Sequence, residues 1–166
     1  MNKSDILTLF DYNYWANVRV LNATAHLSES QFAAPARLSH GSVRGALVHI
    51  LAAEIVWRLR CQEGVYPSAL LAEAEFPTLE SLRRRWAEEE RAMRVYLNQL
   101  SDEAINRPVH YKTTKGLPQE TILWHILAHV VNHGTQFRSE AAVALSEYGH
   151  SPGDLDLIAF VRERKL

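Results

Sequence analysis

The 166 residues carry 18 basic and 19 acidic side chains for a formal net charge of −1, with no dense Lys/Arg run, so the electrostatic footprint of a nucleic-acid binder is missing. The length suits one domain over residues 1–166 with a proper core. Cys61 is alone, which excludes an internal disulfide and, with neither an apolar leader nor a run of about 18 apolar residues, points to a soluble cytoplasmic chain without a membrane contact.

From Ser4, read as an N-cap, Leu7, Phe10, Tyr14, Val18 and Leu21 recur at steps of three and four and line one face of a first helix. "LSESQF" gives a single helical turn that Pro35 ends. The second helix opens on Ser42 as cap, is apolar nearly all round, and closes at Gly64. Thr78 signals the third, with Leu79, Leu82, Trp86, Met93, Tyr96 and Leu100 close to a heptad seam. In "VHYKTTKGLPQET" β-prone residues flank Lys115 and Gly116, so a short hairpin is expected between helices three and four. The fourth helix is expected from Pro118 or Gln119 to Tyr148, and a short extra C-terminal helix over 154–164. The class is therefore all-α, a four-helix bundle. Its connections are long enough to cross the bundle ends.

Helix four carries His125, His129 and His133, four apart. The outer two stand about 12 Å apart along the axis, while a metal accepts imidazole nitrogens at about 2.0 to 2.1 Å, so one ion cannot take all three. Two neighbours can share an ion, and a further ligand must then come from another helix. His49, a lone imidazole inside "LVHILAAEIVW", is the candidate; a hydrogen-bonded core histidine is the competing reading. His26, His40, His110 and His150 lie near helix ends or in loops and are read as solvated. Cys61 has no signature around it and is read as a small hydrophobe.

"FDYNYWANVRVLNA", "SHGSVRGALVHILAAEIVW", "LAHVVNHGTQFRSE" and "GHSPGDLDLIAFVRER" together resemble the DinB family of the DinB/YfiT-like superfamily. The resemblance covers nearly the whole chain. It implies a four-helix bundle of unusual connectivity, often a homodimer, with a divalent metal, zinc or nickel, held by three histidines at one end. The superfamily includes hydrolase-like metalloproteins and enzymes that use a low-molecular-weight thiol, such as mycothiol-dependent maleylpyruvate isomerase and bacillithiol transferases.

By resemblance, the ligand of helix two is His49 and the first of helix four is His133. The family's helix-four block usually reads like HVVNHGTHHR, and its last ligand falls on Phe137, which offers no donor. Either the site is degenerate or another group substitutes, His129 if the ion moves along the bundle, or the adjacent Gln136, a poorer ligand. The block containing Tyr12 and Trp15 implies that these rings wall the pocket, plain core packing being the alternative. Arg138 would orient an anionic substrate, or else pair with Glu140 or Glu54. Two functions follow: a metal-dependent transferase or hydrolase-like enzyme of the DinB type, or a non-catalytic, small-molecule-binding or stress-related member that has lost the metal.

Overall fold

The computed structural model describes residues 1–65, 70–113 and 115–165; Thr114, within the expected hairpin, and Leu166 lie outside the described residues. The long helices are α1 (Lys3–Thr24), α3 (Val43–Glu63), α4 (Leu79–Gln99) and α6 (Leu123–Glu147), with short helices α2 (Glu29–Phe32), α5 (Asp102–Ile105) and α7 (Leu157–Arg164). The class is all-α, as expected, with one small hairpin. No helix among the described residues is long and apolar enough to cross a membrane.

Local chemistry sets most of the boundaries. Ser42 and Thr78 accept from the backbone N–H of Gly45 and Ser81 and cap α3 and α4, and Gly64 ends α3 at φ 64°. Two boundaries differ from expectation. Asn2, not Ser4, caps α1, because its side chain accepts from Asp5 N while the Asp5 carboxylate accepts from Asn2 N, both at 2.9 Å. Ser4 is left inside the first turn. On the apolar face of that helix, Val18 is 51% exposed.

Helix α6 begins at Leu123 rather than at Pro118, because residues from Pro118 are used as a strand. Strand β1 (Pro108–Lys112) pairs antiparallel with β2 (Pro118–Ile122), Pro108 opposite Ile122 and Lys112 opposite Pro118. Gly116, at φ 77°, supplies the left-handed residue of the turn.

Helix α6 packs most extensively on α3 and then on α1, and α4 closes the ring against both. The cyclic order is α1, α6, α3, α4. The chain therefore crosses the bundle twice, from α1 to α3 past α2, and from α4 to α6 through the hairpin.

Two apolar clusters fill the interior. One gathers Val20, Leu47, Leu51, Leu82, Trp86 and Leu145; the other Ile6, Phe10, Met93, Leu97, Leu127 and Phe160. Each such side chain taken out of water contributes about 1.5–3 kcal/mol. Phe160 docks α7 onto the Tyr12 and Trp15 rings at centroid distances of 6.0 and 5.7 Å.

Candidate functional site

Where α3 and α6 face each other, His133 Nε2 lies 3.0 Å from His49 Nε2. Burial, and then the neighbouring His40, hold the His49 pKa down at about 4. Burial, then His49, His129 and His40, do the same for His133, also to about 4. Both rings are therefore neutral at neutral pH, one donating and one accepting across the gap. A metal in the gap would need both rings as their Nδ1–H tautomers, with that hydrogen bond given up.

The third family position is filled with carbon. The Phe137 ring is buried with its centroid 4.5 Å from that of His49 and 4.6 Å from that of His133. His129 is exposed, 5.7 Å from the His133 ring and edge-on to Trp57 at 5.5 Å. Gln136 and His125 are exposed on α6.

The residue that sequence reading misplaced is His40. Far from being solvated, it is half-buried and stacked on His49, ring centroids 3.6 Å apart and planes at 20°, with Phe137 5.0 Å away. Its loop is held from several sides. Ser39 donates twice to Glu140 on α6, from N at 2.8 Å and from Oγ at 2.7 Å. Gly41 takes φ 74°, and its carbonyl accepts from Ala36 N at 2.8 Å. A Cβ on Gly45 would lie 2.1 Å from the His40 carbonyl oxygen, so only glycine lets the loop rest on the first turn of α3. A glycine inside a helix's first turn is the signal that was available in the sequence, since it costs helix stability unless another backbone approaches.

Arg138 faces the other way. It is 1% exposed and donates from Nη1 to Asn13 Oδ1 at 2.5 Å and Asn17 Oδ1 at 2.8 Å, and from Nη2 to Thr135 Oγ1 at 3.0 Å. Neither Glu140 nor Glu54 bonds it directly; Glu140 is engaged by Ser39, and Glu54 is reached through Asn13 Nδ2 at 3.4 Å. Glu54 also accepts from Tyr14 OH at 2.5 Å. Desolvation by burial raises the Glu54 carboxyl to about 7 and holds the Arg138 guanidinium below its usual value. Gly134 makes room for this network, because a Cβ there would stand 2.7 Å from Arg138 Nη1 and 2.9 Å from Asn13 Oδ1. Asn13 and Asn17 were not legible as site residues; polar residues along an amphipathic helix usually face water.

Tyr12 and Trp15 turn toward α7 and the segment before it. Tyr12 OH donates to the Leu155 carbonyl at 3.0 Å, and Trp15 Nε1 to Glu163 at 3.0 Å. Burial pushes the Cys61 thiol up to about 12, which leaves it protonated and a poor nucleophile. A cleft of about 600 Å³ beside Asn22, Leu27, Phe32 and Arg83 contains none of the candidate site residues.

The sequence profile of the DinB family matches residues 1–165. The chain belongs to the DinB family. Among its relatives is Protein DinB of Bacillus subtilis (strain 168), 26% identical in an alignment that covers 92% of each chain. Tested against the three-histidine set that the DinB resemblance implies, two positions fit: two neutral imidazoles meet by their Nε2 atoms. The third does not, because position 137 carries no donor. As placed, no group of three or more His, Cys, Asp or Glu among the described residues could hold a metal ion.

Proposed function

We propose that this DinB-family chain is a metal-dependent protein in which His49 and His133 supply two ligands to a divalent ion of the zinc or nickel class. The observation that carries the reading is the 3.0 Å approach of their Nε2 atoms. That spacing is close to the ~3.3 Å edge of a tetrahedron of nitrogens about 2.05 Å from zinc. Imidazole donors suit zinc and nickel over magnesium or calcium.

The chain's own contribution is to keep both rings unprotonated. Burial does most of this at both rings; at His133 the neighbouring histidines add to it, and the positive charge of Arg138, locked by two asparagines, adds least. His49 and His133 would hold such an ion, which would supply Lewis acidity to lower the pKa of a thiol or water at neutral pH. The co-substrate class that follows is a low-molecular-weight thiol for transfer, or water for hydrolysis. The cytoplasm is the compartment in which such a thiol is abundant. The family resemblance also supports a homodimer, which light scattering on the purified protein would check.

The test is metal content. Purified protein dialysed against zinc, nickel or manganese and then against metal-free buffer is expected to retain close to one equivalent of zinc or nickel, and His49→Ala to retain almost none. The filling of position 137 by Phe137 favours a second reading, a metal-free member that binds a small apolar ligand. Retention of less than a small fraction of an equivalent by the wild type would select it.

A further inference from the structure

We propose that Arg60, near the C-terminal end of α3, anchors a second binding site, which takes a small flat carboxylate beside the rings of Trp57 and Tyr111. The proposal is independent of the metal reading. Arg60 lies eleven residues beyond His49 on the same helix, about 16 Å along its axis, so a small acid held there does not reach the histidine pair.

The two buried arginines of the bundle, Arg138 and Arg60, are 1% and 7% exposed, and they are satisfied very differently. Arg138 gives its N–H groups to Asn13, Asn17 and Thr135. Arg60 has no such acceptor among the described residues: its Nε is sealed from solvent without a hydrogen-bond partner, and it enters no ion pair. The nearby carboxylates are engaged elsewhere, since Glu63 and Glu89 both accept from Arg58. A charge taken out of water is normally paired, because its desolvation is otherwise uncompensated. A buried guanidinium with free donors points to a partner that comes from outside the chain.

What surrounds Arg60 is aromatic. Its Cζ lies 4.8 Å from the centre of the Trp57 ring and 5.8 Å from that of Tyr111, and the two rings meet edge to face at 5.1 Å and 75°. Strand β1 brings Tyr111 there, with its hydroxyl 3.3 Å from Thr121 Oγ1 on β2, and the His129 ring of α6 props Trp57 at 5.5 Å. The ring faces attract the cation and leave its N–H groups without an oxygen. Both rings are half-buried, so the trio borders the surface. The Nη atoms, which carry four of the five N–H groups, are not sealed as Nε is, and they are the ones an incoming anion meets.

Charge and shape give the class of that partner. A guanidinium presents paired N–H groups that match the two oxygens of a carboxylate. Among the described residues Arg60 is the only Lys or Arg over either ring, so the single charge on offer suits a monoanion better than a phosphate dianion. Two rings set at an angle favour a flat body that stacks on one and meets the edge of the other. An aromatic carboxylate meets all of these conditions.

The experiment follows para-fluorobenzoate by fluorine NMR, with a chelator present so that no metal contributes. The wild type should bind it, and should bind para-fluorobenzamide, its neutral counterpart, roughly tenfold or more weakly. Arg60→Met should weaken binding of the acid by roughly tenfold or more while its melting midpoint stays at or above that of the wild type, because removing an unpaired buried charge relieves its desolvation. Arg60→Lys, which keeps the charge and loses the fork, should weaken binding about fivefold. If the wild type does not bind the acid, or binds the amide as well, or if Arg60→Met binds as the wild type does, no carboxylate is recognised at Arg60. Two further results overturn the proposal. A midpoint several degrees lower in Arg60→Met, or loss of its fold, would make Arg60 a structural cation held by its rings, and displacement of para-fluorobenzoate by an equal concentration of inorganic phosphate would make it a general anion site.

Discussion

Helix α6 builds two polar sites on two of its faces, and burial acts on them with opposite signs. Toward α3 it presents His133 and Phe137, and desolvation keeps His49 and His133 uncharged by lowering their pKa values to about 4. Toward α1 it presents Gly134 and Arg138, and the same cause works the other way on the Glu54 carboxyl, raising it to about 7. The difference lies in satisfaction. Arg138 and Glu54 have side-chain partners from α1 at hydrogen-bond distance, whereas His49 and His133 have only each other, flanked by His40 and Phe137. A polar group whose bonds are all made within the protein holds a structure together; a half-exposed imidazole pair that can exchange its one mutual bond for another partner is open to something else.

The comparison breaks most sharply at Arg138. Arg138→Met leaves the oxygens of Asn13 and Asn17 buried without their donor, and chemical denaturation should show a loss of about 3–5 kcal/mol. A loss below about 1 kcal/mol would mean that the network is not what joins α1 to α6.

Next in size is the pH dependence of Glu54. Its folded pKa, about 7, lies above the unfolded value near 4.5. The associated stability is therefore fully present below the unfolded pKa and is lost as pH rises through 7. The difference is about 2.5 units, or roughly 3 kcal/mol at full ionisation. Denaturation at pH 5 and pH 8 should show the decline, and Glu54→Gln should flatten it. A wild-type stability that rises over this window would overturn the assignment.

Phe137→His tests the other face. Replacing a buried aromatic with a polar ring should cost about 1–3 kcal/mol with chelator present. Zinc should recover part of that, since an ion that binds only the folded state stabilises it by mass action. A melt that zinc leaves unmoved would show that position 137 does not face the ion.

The smallest effect on stability is expected of Gly45→Ala. The new Cβ overlaps the His40 carbonyl, but a better helix former offsets part of the strain, for a net loss of about 1 kcal/mol. Urea denaturation of the variant beside the wild type would show it, and an unchanged stability would mean that the loop yields freely.

Much of this was legible along the chain because it is local. Ser42, Thr78 and Gly64 mark helix ends by their own chemistry, and each marks one here. Ser4 failed because Asn2 and Asp5 form a reciprocal pair two residues earlier, and Pro118 failed because Pro108–Lys112 gave its segment a strand to join. His49 could be picked out as a lone imidazole in an apolar run, and His133 as one of three histidines spaced by four that the DinB resemblance singled out. His40 could not, since its direction is set by a glycine on α3 and a glutamate on α6, Gly45 and Glu140, far apart in sequence. The buried role of Arg138 depended on which face of α1 would meet α6, and the apolar spacing of α1 pointed to a stripe that includes the exposed Val18.

The cyclic order of the bundle also bears on how the molecule comes into being. Of the long helices, α6 is the last to be synthesised, yet it is the neighbour of both α1 and α3. While a ribosome is still extending the chain through the hairpin, α1 and α3 therefore present apolar faces with no wall against them. Contacts between segments this far apart in sequence are slow to form and leave such surfaces open to association in the meantime. Maturation of this protein is thus a late, concerted event, in which the histidine cluster and the arginine network come into existence together when one helix arrives.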